Sequence, residues 1–103
     1  MKSFLIKYSR KAVPEDQWHQ DIARFIAALG GDPELAGKIS YRCMKSRDGT
    51  DYYHLASVVD DAAVKILQSR EFFMRYTAQT KAAAGGEVDV GPLQIIAETK
   101  FKV

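Results

Sequence analysis

His54 and Cys43 are the two side chains of this sequence whose types could do chemistry together. A hairpin turn at Asp48-Gly49 would place them opposite each other on neighbouring strands, where cross-strand Cβ atoms lie about 4.5 to 5.5 Å apart. An adjacent imidazolium lowers the pKa of a thiol and would make Cys43 a nucleophile, with His54 as its base. The alternative is a buried thiol beside a hydrogen-bonded histidine, because free cysteine often packs as a small apolar residue.

His54 alone is the stronger catalytic candidate, as a group that exchanges a proton with a ligand near neutral pH. A purely structural histidine remains the alternative. Aromatic residues and the thiol would line a pocket around it and form the substrate-binding set, although packing alone also explains aromatic residues. That set is Tyr8, Trp18, Tyr41, Cys43, Tyr52, Phe72, Phe73 and Tyr76. His19, next to Trp18, is expected on a charged surface of a helix.

The hairpin that positions His54 runs from Lys38 to Val59. Asp-Gly between two strand-like segments predicts a type I′ turn with both central residues at positive φ. This register pairs Cys43 with His54 and places both on the more apolar face of the hairpin.

The segments before the hairpin predict a strand and a helix. Residues Ser3 to Ser9 alternate between two faces, as in a strand. Pro14 begins a helix with an apolar stripe that ends at Gly30-Gly31. Asp32-Pro33-Glu34-Leu35 resembles the start of a short helical piece.

The segments after the hairpin predict a second helix and a last strand. Asp60 or Asp61 would cap the helix, Ser69 would interrupt it, and Gly85-Gly86 would end it. Alternation from Leu93 to Lys100 predicts the last strand, which Pro92 should not enter deeply.

This order of elements predicts a single α+β domain over residues 1–103, with a ferredoxin-like β-α-β-β-α-β sandwich and a four-stranded antiparallel sheet. Both helices would cover one face of the sheet. The other face would carry more apolar area than a monomer leaves bare, which predicts a homodimer through this open sheet face. Its apolar residues are Leu5, Met44, Tyr53, Leu55, Val59 and Ile96.

Composition excludes several other classes of protein. A net charge of +2 with scattered basic residues does not suggest a nucleic-acid partner. One cysteine and two histidines leave too few ligands for a familiar zinc site and allow no internal disulfide, so a reducing cytoplasm is expected. No apolar run approaches a membrane span or the core of a signal peptide.

The stretch Leu67-Gln68-Ser69-Arg70-Glu71-Phe72-Phe73-Met74-Arg75-Tyr76 resembles the second helix of the antibiotic-biosynthesis-monooxygenase-like family, with its small polar residue followed by spaced aromatics. The resemblance extends over most of the chain. It implies a dimeric α/β barrel in which two ferredoxin-like subunits pack sheet against sheet. It also implies a cleft between helices and sheet for an aromatic or polyketide-like molecule, which some members oxidise with dioxygen and no cofactor.

The catalytic signature of that family is largely missing. Ile66 stands where the family often has histidine, no tryptophan lies near Ser57-Val58-Val59, and the chain has no asparagine. Haem breakdown, which uses asparagine, tryptophan and histidine in related proteins, is therefore not expected. Two functions stay open: a cofactor-independent monooxygenase-like enzyme, and a non-catalytic module that binds a hydrophobic metabolite or acts in stress.

Overall fold

The computed structural model describes residues 1–102, which form one four-stranded antiparallel sheet and three helices. The strands lie in the order β2-β3-β1-β4. This is the ferredoxin-like arrangement that the sequence predicts. The elements are β1 (Lys2–Ser9), α1 (Glu15–Gly31), β2 (Ile39–Lys45), β3 (Asp51–Val58), α2 (Asp61–Ser69), α3 (Glu71–Ala83) and β4 (Asp89–Leu93). Within this part of the chain, no helix is both long and apolar enough to cross a membrane.

The core lies between the helices and one face of the sheet. Alternate residues of the central strand β3, beginning at Tyr52, are buried beneath the helices, as a period of two requires. From the other side, α1 buries Trp18, Ile22, Phe25 and Leu29, which follow the helical spacing of its apolar stripe.

The predicted break after α2 is confirmed. The Asp60 carboxylate caps α2 by accepting a hydrogen bond from the Ala63 N–H at 2.8 Å. Arg70 then has extended backbone angles and separates α2 from α3. The Ser69 hydroxyl does not cap α3; it donates to the Ile66 carbonyl at 2.6 Å.

Arg70 also ties the break to the segment after α1. Its guanidinium donates to Asp32 and to Glu34, with a shortest distance of 2.7 Å to each carboxylate. The Asp32 carboxylate in addition accepts the Glu34 N–H at 3.0 Å, which closes a turn. The helical piece predicted there is wrong, because this segment forms turns only.

The hairpin has the predicted register but a different turn. Cys43 lies opposite His54 and Lys45 opposite Tyr52, as expected. The type I′ prediction is wrong, since neither Asp48 nor Gly49 has positive φ. Instead the Gly49 N–H donates to the Ser46 carbonyl at 3.4 Å within a longer loop. The five residues between the strands, 46–50, contain a type I-like turn and join the same strand pairs as a two-residue turn would, so the register is the predicted one.

The last strand was predicted too far along the chain. β4 is Asp89–Leu93, and residues 94–102 have no regular secondary structure. Pro92 lies inside the strand, opposite Phe4 of β1. It is tolerated because β4 is an edge strand, where one row of N–H groups has no partner strand to bond.

The end of α3 is a Schellman motif. The Gly86 N–H donates to the Lys81 carbonyl at 2.9 Å and the Gly85 N–H to the Ala82 carbonyl at 3.2 Å. Gly85 has φ of +69°, and a Cβ atom there would lie 3.2 Å from Cδ of Lys11.

Gly85→Ala is therefore expected to lower the free energy of unfolding by about 1 kcal/mol or more, because alanine resists this backbone conformation and crowds Lys11. Gly30→Ala is the matched control: Gly30 lies in α1 without positive φ and has open space around it, so alanine should be neutral or slightly stabilising. Urea denaturation of both variants measures the difference. Equal stability of the two would contradict the assigned role of Gly85.

Candidate functional site

His54 lies in the middle of β3 with no solvent exposure, and both of its ring nitrogens have hydrogen-bond partners. Its Nε2 atom lies 2.8 Å from the Tyr8 hydroxyl. Its Nδ1 atom lies 2.9 Å from the hydroxyl of Tyr41 and 3.1 Å from that of Tyr76. The imidazole is thus the centre of a buried polar cluster built from three strands and α3.

Trp18 sets the direction of these hydrogen bonds. Its indole N–H, which can only donate, lies 2.8 Å from the Tyr8 hydroxyl. The Tyr8 oxygen accepts that bond, so its own hydrogen is free for Nε2 of His54. In a neutral imidazole the proton is then on Nδ1, which donates towards Tyr41 and Tyr76. We infer that the ring is the Nδ1-protonated tautomer.

The hydrogen bonds weaken beyond the imidazole. The Tyr41 hydroxyl donates to Tyr76 over 3.5 Å, and the Tyr76 hydroxyl lies 3.9 Å from Sγ of Cys43. These long contacts hold the two phenol hydrogens loosely.

Burial holds every group of the cluster in its neutral form. It lowers the pKa of His54 to about 4 and raises the pKa of Cys43 to about 11. It also raises the pKa of Tyr8, Tyr41 and Tyr76 well above the ordinary value of a phenol. Cys43 is therefore a thiol at neutral pH and contacts a phenol, which weighs against the nucleophilic pair of Cys43 and His54.

A second branch leads from the cluster to the surface. The rings of Tyr8 and Tyr52 are stacked, with centroids 5.2 Å apart and an interplanar angle of 4°. The Tyr52 hydroxyl lies 2.8 Å from Nε2 of His19, whose side chain is exposed as the sequence predicts. Sequence reasoning missed this bond because His19 and Tyr52 are 33 residues apart in the chain.

Beside the cluster, a cavity of about 520 Å³ lies between the sheet and the two helices α2 and α3. It has the size and the largely apolar surface of a small-molecule site. The lining residues are Phe4, Ile6, Tyr41, Ala56, Val58, Val64, Leu67, Gln68, Phe73, Tyr76, Thr77, Thr80, Lys81, Gly86, Val88 and Val90. Two further grooves, of about 620 and 630 Å³, contain neither Tyr41 nor Tyr76.

The cavity contains only part of the predicted ligand-binding set. Tyr41, Phe73 and Tyr76 line it, whereas His54 lies behind the two tyrosines. The other candidates are placed in the surrounding packing. Trp18 and Tyr52 are buried against Tyr8, Phe72 packs near Phe25 with ring centroids 6.0 Å apart, and Cys43 contacts Tyr76.

Several lining residues were not predicted from the sequence. Thr77, Thr80 and Lys81 of α3 share one helix face with the predicted Phe73 and Tyr76, at spacings of three and four, which is a usable signal. Val88 and Val90 were missed because the last strand was placed too far along the chain. Within residues 1–102, no three His, Cys, Asp or Glu side chains come together as ligands for a metal ion.

Solved structures with a similar fold are known. The chain superposes on SnoaB, a cofactor-independent oxygenase from Streptomyces nogalater, with a TM-score of 0.74 and 16% identity over 94% of each chain. An antibiotic biosynthesis monooxygenase structure gives 0.73 and 16%, covering 94% of this chain and 100% of the other. The chain has the fold of the antibiotic biosynthesis monooxygenases. This confirms the ferredoxin-like subunit fold that the resemblance implied.

A dimeric ferredoxin-like protein of unknown function from Jannaschia sp. CCS1 matches with a TM-score of 0.67 and 20% identity, over 92% of this chain and 100% of the other. No family model and no curated protein sequence matches the chain. At such identities the structural likeness establishes the monooxygenase-type fold, and the chemistry has to be argued from the site.

The low pKa of His54 predicts acid sensitivity. The pKa of His54 is near 6.5 in the unfolded chain and about 4 in the folded protein, so between these pH values the unfolded chain binds a proton that the folded protein does not. The free energy of unfolding should therefore fall as pH drops through this interval, by about 3 kcal/mol in total. Asp32, whose pKa the Arg70 guanidinium lowers, adds a loss only below about pH 4. Urea denaturation between pH 7 and 4.5 measures the His54 effect separately.

His19→Gln is the control for this measurement, because it removes the other histidine of the chain and leaves His54 in place. The variant should keep the full loss of stability. A flat profile between pH 7 and 4.5 in the unmodified protein would show that His54 is not buried in a neutral form.

Proposed function

We propose that the protein is a small-molecule enzyme resembling the cofactor-independent monooxygenases, acting on an aromatic or polyketide-like substrate in the cavity between helices and sheet. One observation carries this proposal. Two tyrosines, Tyr41 and Tyr76, line an apolar cavity, and the hydroxyls of both are hydrogen-bonded to a neutral buried histidine. The solved structures of the same fold, which include a cofactor-independent oxygenase, support the class of reaction.

The direction of the hydrogen bonds suggests what the cluster does. Because Nδ1 of His54 donates towards Tyr41, the phenol hydrogens are available to an acceptor in the cavity. They would donate to the oxygen of a bound phenol or enol and stabilise its anion, as preorganised donors do in an oxyanion hole. The substrate proton passes to solvent water at the cavity mouth, and His54 holds the phenols in place without taking that proton, which suits an imidazole that burial makes a weak base.

A stabilised phenolate or enolate is an electron-rich carbanion equivalent. It can transfer one electron to dioxygen, which gives a ligand radical and superoxide. The two combine to a peroxide anion, which takes one proton from water to become a hydroperoxide. The substrate and dioxygen supply all the electrons of this step. In this proposal Tyr41 and Tyr76 contact the substrate and His54 holds them in orientation.

A second function, the binding of a hydrophobic metabolite without turnover, is favoured by the position of His54. Its ring has no exposed surface and does not line the cavity. A cavity with apolar walls and two phenol donors would also serve to hold a ligand. Mass spectrometry of molecules that co-purify with the protein, combined with a turnover assay, distinguishes storage from catalysis.

The enzyme proposal predicts a loss of turnover in single phenol variants. Anthrone, which forms an electron-rich enolate, is a suitable probe, with dioxygen uptake and product mass as the readouts. Tyr76→Phe and Tyr41→Phe should each lower the rate about a hundredfold, the usual effect of removing one oxyanion donor. Tyr52→Phe, which removes a buried phenol outside the cavity, should keep the rate.

Two further variants separate catalysis from binding. His54→Ala should abolish turnover, whereas Cys43→Ala should retain it, with melting temperature and ligand affinity measured for both. Turnover retained in His54→Ala and in both phenol variants would overturn the proposed site. Co-purification of an unchanged apolar compound, with no dioxygen uptake by any variant, would favour the storage function.

We further propose that two copies pack through the open sheet face, as in a dimeric α/β barrel. The centre of that face is Leu55, paired with Leu5 on β1 and Arg42 on β2. Nearby Met44 and Tyr53 are 41% and 38% exposed. A large, exposed apolar area of this kind is typical of an interface between subunits.

Leu55→Lys should convert the dimer to a monomer or to aggregate, because a charge would be buried against the partner sheet at a cost of several kcal/mol. Met74→Lys is the control, since Met74 is a 54% exposed apolar residue on α3, away from the sheet. Sedimentation at micromolar concentration reports the oligomeric state. Sedimentation of the unmodified chain as a monomer would contradict the proposed dimeric barrel.

A further inference from the structure

The cavity between the sheet and α2–α3 has an apolar interior and a mouth that is polar on its helix side, while the exposed Val90 lines it on the side of β4. Its sheet side is formed by apolar side chains such as Ile6, Ala56 and Val58. The exposed lining residues on the helices are Gln68, Thr77 and Lys81, and all three are polar. A ligand that fills the cavity would therefore bury an apolar body and present its other end to these side chains.

One charged side chain lines the cavity. Among residues 1–102 this is Lys81, and no carboxylate is part of the lining. Among residues 1–102 no carboxylate lies within ion-pair distance of the Lys81 ammonium. The hydroxyls of Thr77 and Thr80 donate to carbonyls of their own helix, so the donors left at the exposed helix side of the mouth are the amide of Gln68 and the ammonium of Lys81, while the Tyr76 hydroxyl lies deeper, next to His54.

We propose that Lys81 selects ligands with an anionic group, and that the natural ligand is a planar apolar acid whose carboxylate or equivalent anion lies at the cavity mouth. Its ring system would lie against the sheet, with an oxygen near the hydroxyls of Tyr41 and Tyr76. This inference rests on the proposed function only in taking the same cavity as the ligand site. It adds the chemical class of the ligand and the residue that recognises it.

Lys81 also lies in the last turn of α3, where a cation interacts favourably with the helix dipole. That role would affect the stability of the helix but would not distinguish an acid from a neutral ligand of the same shape. A comparison of two such ligands therefore isolates recognition from helix stability.

The test compares 2-naphthoate with 2-naphthalenemethanol, which share a ring system and differ in charge at pH 7. Affinities are measured by naphthalene fluorescence and by calorimetry on the full chain at low ionic strength. The unmodified protein should bind the anion about fivefold more tightly, as expected for an ion pair at a partly exposed site. The preference should shrink as salt is added.

Two variants of Lys81 and one control variant at another exposed lysine complete the design. Lys81→Gln should abolish the preference while retaining affinity for the alcohol, and Lys81→Glu should reverse it. Lys65→Gln, which removes an exposed lysine of α2 outside the cavity, should leave the preference intact. Melting temperatures of all variants control for any change in stability.

The outcomes separate the two proposals. Equal binding of acid and alcohol by the unmodified protein, or a preference that survives in Lys81→Gln, would overturn the role of Lys81 and leave the cavity as a ligand site. Failure of both probes to bind would count against the cavity itself, and so against the proposed function as well.

Discussion

The burial of one imidazole and its phenol partners at the centre of the sheet is the constraint on which the rest of the structure depends. Each polar group placed there without a partner would cost about 1 to 3 kcal/mol, so their hydrogen bonds must all be made together. Trp18 from α1, Tyr8 from β1, Tyr41 from β2 and Tyr76 from α3 meet at His54 of β3. The cluster thereby fixes how both α1 and α3 pack on the sheet.

The same packing gives the cavity one rigid wall. Phe25 of α1 stacks on Tyr76 with centroids 3.8 Å apart and an angle of 3°, which holds the phenol in place from the side of α1. The ion pairs of Arg70 with Asp32 and Glu34 attach the break between α2 and α3 to the turn after α1. Tyr41 and Tyr76 are therefore held in fixed positions beside an apolar space that a range of ring systems could fill, and in the proposed function shape and charge at the mouth decide among them.

The fold was largely predictable from the sequence because the pattern of apolar residues and the hairpin register are local signals. The amino-acid sequence alone was enough to pair Cys43 with His54, since a longer type I-like loop conserves the register of a two-residue turn. The last strand was not predictable in the same way. The alternation after Leu93 was stronger than that around Gly91 and Pro92, and only the edge position of β4 explains why glycine and proline are tolerated there.

The composition of the site was only half predictable. The face of β3 placed His54 beneath the helices, but its partners come from β1, β2 and α3, and local periodicity does not give the distances between hydroxyls and ring nitrogens. Trp18 was expected in a pocket wall and instead donates a hydrogen bond to Tyr8. Its indole N–H sets the direction of the hydrogen bonds in the cluster. That role depends on the contact between α1 and β1, which local periodicity does not reveal.

The central claim is the direction of the hydrogen bonds around His54, from the Trp18 indole through Tyr8 to the imidazole. Nitrogen NMR of ¹⁵N-labelled histidine tests it most directly. The claim predicts that at pH 7 Nδ1 of His54 carries the proton and Nε2 does not, and that Trp18→Phe, which removes the indole donor, shifts the ring towards the other tautomer. The ring of His19, which is hydrogen-bonded to Tyr52 and not to Tyr8 or to the indole of Trp18, should keep its protonation pattern. A His54 ring protonated on Nε2 in the unmodified protein, or doubly protonated, would contradict the account.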